Sequence, residues 1–215
     1  MQQSPSRDSL AHTYRMVDAK KFYAPEQPGV LHYEDVLLFN EIEALNIELM
    51  YAPYVEAEAS KYGVPQDYKQ IAFLKDESKN IPPWIHLDKY PVLREIYCEY
   101  MVFHALISIL GGTDYWPNIN DVRVHQYPSN TVGIGEHRDF SSNKNTVGIL
   151  TINGNGVLTV GDKEFEQKPG TLTILRAPRK PDEDNRPTHK VVVGDARRCI
   201  IFRQVVKPRK DHPTR

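Results

Sequence analysis

The 215-residue chain predicts an α+β fold in which helices come first and a β-rich core follows within one domain. Three observations carry this. Upstream of residue 120 apolar residues recur at helical spacing. Downstream the period drops to two and β-branched residues dominate. Short candidate strands there are punctuated by turn residues, a pattern that points to a sandwich or barrel, with a jelly roll among the natural candidates.

Residues 1–12 are polar and read as a loose end. Residues 35–51 (DVLLFNEIEALNIELMY) place Leu37, Leu38, Ile42, Leu45, Ile47 and Leu49 at helical spacing, with glutamates on the other side. Residues 69–74 form a candidate strand, and 81–86 (IPPWIH) a loop that presents an aromatic. Residues 91–110 are the strongest helix. Pro91 suits a first helical position, where no N–H is needed, and Gly111-Gly112 supplies the stop. The near-continuous apolar character of this segment predicts a helix pressed against a sheet, with Cys98 and its Met and Tyr residues in the core. Strands are predicted at 122–127, 131–135, 146–152, 156–160, 163–167, 171–176, 190–193 and 197–206. Turn chemistry separates them at Asn153-Gly154-Asn155-Gly156, Gly161-Asp162, Pro169-Gly170 and Gly194-Asp195. The parts are thus a helical, lid-forming region (1–120), a β core (121–206) and a flexible basic tail (207–215).

Two cysteines, Cys98 and Cys199, are too few for a disulfide framework and suit a reducing compartment. The first fourteen residues hold no apolar stretch of the signal-peptide kind. The longest apolar run, 96–110, is broken by Glu99 and His104 and is too short to span a bilayer. A soluble cytoplasmic protein with no membrane partner is expected. The net charge of −1 argues against a constitutive nucleic-acid binder. That charge is split unevenly, −7 over residues 1–120 and +6 over 121–215. A basic second half can attract phosphates, hold one small anion in a pocket, or simply form a solvated surface.

The informative segment is Gly135-Glu136-His137-Arg138-Asp139-Phe140. On an extended strand His137 and Asp139 project together while Arg138 points elsewhere. Imidazole and carboxylate side by side supply two ligands to a divalent metal, and His189, which opens the strand HKVVV, is the obvious third. Two histidines and a carboxylate on one face of a metal form the facial triad of non-haem Fe(II) oxygenases. A His-x-Asp pair alone also has common structural uses. In Arg197-Arg198-Cys199-Ile200-Ile201-Phe202-Arg203, Arg197 and Arg203 are an even number apart and share a strand face with Cys199 and Ile201. Two guanidiniums in one pocket are costly to bury without anions, and a metal-bound dicarboxylate would satisfy both. An edge strand with solvated arginines is the plainer alternative.

Together these residues resemble the Fe(II)/2-oxoglutarate-dependent oxygenases, and within them the AlkB-like group. The pattern runs in order from about Leu110 to Val206: a Gly-rich helix end, VRVHQYP, GIGEHRD, hairpins, the distal histidine and the two-arginine strand. The resemblance implies a double-stranded β-helix (jelly-roll) core with the N-terminal helices packed on the sheet. It implies Fe(II) held by His137, Asp139 and His189, with 2-oxoglutarate and O2 as cosubstrates. Arg197 would hold the distal carboxylate of 2-oxoglutarate, and Arg203 would help place its metal-binding end. Tyr127 matches a tyrosine that hydrogen-bonds the cosubstrate. His125 stands where the group commonly has Asn, and Cys199 where it often has Asn or Ser. Arg198, nine residues after His189, has a spacing used by other such oxygenases, but only Arg197 shares a face with Arg203.

The reaction implied couples oxidative decarboxylation of 2-oxoglutarate, to succinate and CO2, with oxidation of a substrate C–H bond. Hydroxylation, desaturation and cyclisation all begin this way, and the carboxylate of Asp139 argues against halogenation. The substrate reading preferred is a small molecule. Nucleobase demethylation is weaker, because Ser141 stands where repair members carry an acidic residue, and because the first half is acidic and repels phosphate. A peptide hydroxylase and a non-catalytic jelly-roll binding module complete the alternatives. Trp84, His86, Tyr115 and Trp116 are read mainly as packing or surface residues, with lining a substrate pocket as their functional alternative.

Overall fold

The computed structural model describes residues 18–24, 26–56, 68–73, 87–131 and 133–206. In chain order the elements are α1 (Ala19–Tyr23), β1 (Val30–Tyr33), α2 (Phe39–Glu48), β2 (Val55–Glu56), β3 (Lys69–Ala72), a 3-10 turn (Leu87–Lys89) and α3 (Pro91–Leu110). Eight strands follow: β4 (Asp121–Tyr127), β5 (Ile134–His137), β6 (Asn143–Asn153), β7 (Gly156–Val160), β8 (Lys163–Gln167), β9 (Leu172–Arg176), β10 (His189–Val193) and β11 (Arg197–Val205). They form two antiparallel sheets. The larger has the order β1-β9-β6-β11-β4-β3-β2 and the smaller β5-β10-β7-β8. From β4 to β11 the strands alternate between the sheets except at the β7-β8 hairpin, as they do in a jelly roll, which is the predicted core.

The two-residue period of the central strands sorts their side chains into two cores. From the larger sheet Val122, Val124, Leu150, Ile152, Ile200 and Phe202 face the helices and meet Leu45, Leu49, Leu93, Ile96, Tyr100 and Phe103. The alternate residues Tyr127, Val147, Ile149, Cys199 and Ile201 face the smaller sheet and meet Leu158, Val160, Val191 and Val193. The described helices therefore buttress the sheet from the face away from the second core rather than covering it; residues 57–67 and 74–86 of the expected lid region lie outside the described residues.

The helix pair is joined by charge. The carboxylate of Glu48, the last residue of α2, accepts hydrogen bonds from the Val92 and Leu93 amides at 3.0 and 2.9 Å. It thus caps the first turn of α3, where orphan N–H groups and the helix dipole favour an anion. Helix α3 lies on the sheet as expected, and the Tyr100 ring stacks on Phe202 with centroids 4.5 Å apart. Only one face of α3 is covered, however: Cys98, Val102, Leu106, Ile109 and Leu110 are exposed, so Cys98 is not a core residue. The near-continuous apolar run overstated burial because a helix on a flat sheet can cover one stripe. Helix α2 begins four residues later than predicted, with Asp35 at φ 52° and the Glu41 carboxylate accepting from the Leu38 amide at 2.8 Å. Among the described residues no helix is long and apolar enough to cross a membrane.

Beneath α3 lies a buried polar chain. Tyr100 Oη is 3.2 Å from Thr146 Oγ1, which is 2.7 Å from His104 Nδ1; His104 Nε2 is 3.0 Å from Gln204 Oε1. An amide oxygen only accepts, so Nε2 carries the proton and Nδ1 accepts from Thr146. Burial outweighs the Gln204 hydrogen bond and pushes the His104 pKa down to about 4. Between pH 6.5 and 4 the unfolded chain therefore binds a proton that the folded chain refuses, and stability falls as pH is lowered through that window. His104 alone should contribute a loss of roughly 3 kcal/mol across it in chemical denaturation, at 1.36 kcal/mol per pKa unit. His104→Gln should remove that share and leave the one buried His125 adds in the same direction, even where it lowers stability at neutral pH.

Candidate active site

Antiparallel pairing of β10 with β5 sets His189 directly opposite His137, with ring centroids 4.3 Å apart. The strand β5 starts after Gly133, whose φ of +65° a side chain would strain, and is displaced towards the histidine from the predicted 131–135. It stops at His137, so Asp139 sits just beyond the sheet, with Oδ2 4.0 Å from His189 Nε2. The Nδ1 atoms of His137 and His189 lie 2.7 and 3.2 Å from the carbonyls of Gly135 and Pro187. Carbonyls only accept, so both Nδ1 atoms are protonated and both Nε2 lone pairs are free. Burial first, and then neighbouring His189, lower the His137 pKa and favour the neutral ring. Arg186 secures the ligand turn by donating from Nη1 to the Asp139 carbonyl at 2.5 Å.

A cavity of about 130 Å³ opens beside these three residues, between the sheets. Its floor is a ladder of facing side chains from β4 and β11. Register pairs Tyr127 with Arg197, His125 with Cys199, and Asp121 with Arg203. Arg197 is only 1% exposed. Its Nη2 donates to Thr151 Oγ1 at 3.0 Å and to Gln167 Oε1 at 3.4 Å, while Nε is buried without a hydrogen-bond partner. His125 Nδ1 lies 3.1 Å from Tyr127 Oη, and its ring stacks on Tyr68 at 4.3 Å. Burial, reinforced by the charges of Arg203, Arg123 and Arg197, holds the His125 pKa well below the usual value, and the ring is neutral. Burial likewise keeps the Tyr127 phenol and the Cys199 thiol protonated.

Arg203 departs from the expectation that both arginines would lack anions. Its Nη2 donates to the Asp121 carboxylate, which also accepts from Arg123 Nε at 3.0 Å. Burial pushes the Asp121 carboxyl up, but Arg203 and Arg123 outweigh this and hold it below the usual carboxylate range. Arg198 lies on the opposite face, where Nη1 donates to Asn46 Oδ1 at 3.2 Å. Only Arg197 of the adjacent pair lines the cavity.

No protein-family model matches the chain, and no curated protein matches it in sequence. Solved structures do. An oxidoreductase of the 2OG-Fe(II) oxygenase family from Burkholderia pseudomallei is similar at 14% identity and TM-score 0.56, over 94% of this chain and 91% of that one. A Pseudomonas putida prolyl-4-hydroxylase reaches TM-score 0.59 at 11% identity, over 92% and 99%. A Trichoplax adhaerens prolyl hydroxylase, in complex with a hypoxia inducible factor oxygen degradation domain peptide fragment, reaches 0.57 at 12% identity, over 90% and 91%. The fold is that of the 2OG-Fe(II) oxygenases.

Within this oxygenase fold the donor set fits a divalent metal. The ligand atoms of His137, Asp139 and His189 all lie within 4.8 Å of one another, two as bare imidazole nitrogens and one as a carboxylate oxygen. The floor fits an anionic cosubstrate: Arg197 has no carboxylate within ion-pair distance among the described residues, and both its Nε and His125 Nε2 are buried and unpartnered. Sequence reasoning missed Asp121 and Arg186. Asp121 could have been found as the antiparallel partner of Arg203, whereas Arg186 sits in a loop with no periodicity. Arg138, expected to point elsewhere, also lines the cavity because the strand ends before it. Tyr115 and Trp116 do not line it, and Trp84 and His86 lie outside the described residues.

Titration with Mn(II), read by electron paramagnetic resonance, should give one bound ion per chain and lose it in Asp139→Ala. Arg186→Ala, which frees the Asp139 backbone, should weaken binding about tenfold, the usual scale for a group that orients a ligand.

Proposed function

We propose that the chain is an Fe(II)- and 2-oxoglutarate-dependent oxygenase that oxidises a C–H bond of a small-molecule substrate. The observation that carries the reading is the pairing, in one cavity, of a two-histidine, one-carboxylate group with a buried arginine that has no counter-ion among the described residues. An unpaired buried guanidinium is destabilising, and a fold retains one where a ligand completes it. The fold likeness supports the same class.

His137, Asp139 and His189 would hold Fe(II) on one side and leave its other side to cosubstrate and O2. When bound, iron would supply activation of O2, the oxidant, one oxygen atom going to 2-oxoglutarate as it becomes succinate and CO2 and the other serving oxidation of the substrate C–H bond. The chain supplies position and charge. Arg197 takes the distal carboxylate through charge-assisted hydrogen bonds. His125 and Tyr127 act as one unit. With His125 neutral, a proton on Nδ1 bonded to Tyr127 Oη leaves the phenol to donate to Cys199, its other neighbour, or to the cosubstrate; a proton on Nε2 lets His125 donate while Tyr127 bonds Nδ1. Either way the pair has one donor to turn towards the cosubstrate. Arg203, tied to Asp121, adds positive potential near its metal-binding end rather than a second free fork. A small molecule is preferred to a nucleobase because Ser141 stands where an acidic residue is used in repair members of the AlkB-like group.

Anaerobic addition of 2-oxoglutarate to the Fe(II)-loaded chain should produce a visible charge-transfer band. Asp139→Ala should abolish the band, and Arg197→Ala should demand roughly a hundredfold more 2-oxoglutarate, the effect of removing one partner from a buried charged pair. Iron bound without any band would defeat the oxygenase reading and favour a binding module.

A further inference from the structure

The strand β5 ends at His137, and the next three residues leave the sheet. All four consecutive residues 137–140 consequently line one cavity, where a continuing strand would have turned alternate side chains away. Two of them, Arg138 and Phe140, are not ligand types for the metal. Both sit at the mouth, the Arg138 side chain 55% and Phe140 57% exposed. Arg138 is nevertheless oriented: Nε donates to Thr188 Oγ1 at 3.1 Å, directly beside His189 in sequence.

Among the described residues the cationic lining of the cavity is Arg138, Arg197 and Arg203, and its carboxylate is Asp139. Asp139 belongs to the metal group, Arg203 is paired with Asp121, and Arg197 faces the cosubstrate floor. Among the described residues the acid paired with Arg138 is Asp184, at 4.0 Å, and both groups are half exposed. Arg186 holds the same carboxylate more closely, at 2.7 and 3.0 Å, so the Arg138 pair is long and solvent-screened and its fork can turn to another carboxylate.

Resting on the oxygenase reading, we propose that Arg138 and Phe140 form the substrate-recognition pair, and that the substrate is a small carboxylic acid with an apolar chain. The guanidinium fork matches a carboxylate edge to edge, and Phe140 covers the adjoining carbons. Arg138 lies between His137 and Asp139 in sequence and its Nε is held at Thr188, beside His189, so a carboxylate on its fork is seated in the same cavity as the three-residue group. A phosphate ester, carrying up to two charges, is matched less well by one guanidinium.

The test uses the anaerobic Fe(II)·2-oxoglutarate form of the full chain and reads perturbation of its visible band. The probes are the twenty common amino acids, the straight-chain monocarboxylic acids of three to six carbons and 3-phenylpropanoic acid, each with its primary amide, and adenosine 5′-monophosphate. At least one acid should shift the band while its amide does not. Arg138→Gln should raise the apparent dissociation constant of that acid at least tenfold, Arg138→Lys by less, and Phe140→Ala should weaken the longer acids most. A band that answers to no acid, answers equally to acid and amide, answers only to the nucleotide, or is perturbed equally in Arg138→Gln overturns the proposal and leaves the oxygenase reading standing. A wild type with bound iron that never develops the band overturns both.

Discussion

Everything at the site depends on the alternation of β11 between its neighbours β6 and β4. One face of this strand sends Ile200 and Phe202 into the helix-backed core; the other sends Arg197, Cys199, Ile201 and Arg203 into the cavity. A slip of one residue would exchange the two sets, placing Arg198 and two large apolar groups in the cavity and burying Arg197 and Arg203 against α3. The helix core, filled by Tyr100, Phe103 and Leu93, cannot accept a guanidinium without a partner, so hydrophobic packing on the far side enforces the register of the polar side.

The two arginines that this register brings together have different fates, and the difference is chemical. Arg203 meets a carboxylate from the neighbouring strand, which it shares with Arg123, so that corner holds its own anion and keeps a net positive charge. Arg197 meets a hydroxyl and an amide oxygen, which accept hydrogen bonds but carry no charge. Among the described residues the cavity therefore has a carboxylate beside one arginine and only neutral acceptors beside the other. The His137, Asp139 and His189 group lies at the end of the smaller sheet, and side chains of both sheets line the one cavity.

Much of the fold was legible because burial imposes periodicity. Strands β7 and β8 and helix α3 lie where the pattern places them, since each has one buried face and clear turn or capping residues at its ends. Elements that escaped were short and depended on a partner. Strand β1, four residues long, exists because Val30 to Tyr33 pair with β9; α1 is a single short turn with no periodicity to read. Cys98 misled for a related reason: an apolar sequence says that a helix can be buried, not how much of its circumference a flat sheet can reach.

The sequence by itself determined the order of helices and strands, the His-x-Asp pair with its distant histidine, and the common face of Arg197 and Arg203, because these follow from local spacing and the two-residue period. Tertiary structure alone decided which partners they meet. That His189 faces His137, that Asp121 pairs with Arg203 while no described carboxylate pairs with Arg197, and that Arg138 turns into the cavity all depend on strand register and on where β5 stops. Those are properties of pairing between segments distant along the chain, and no window of neighbouring residues contains them.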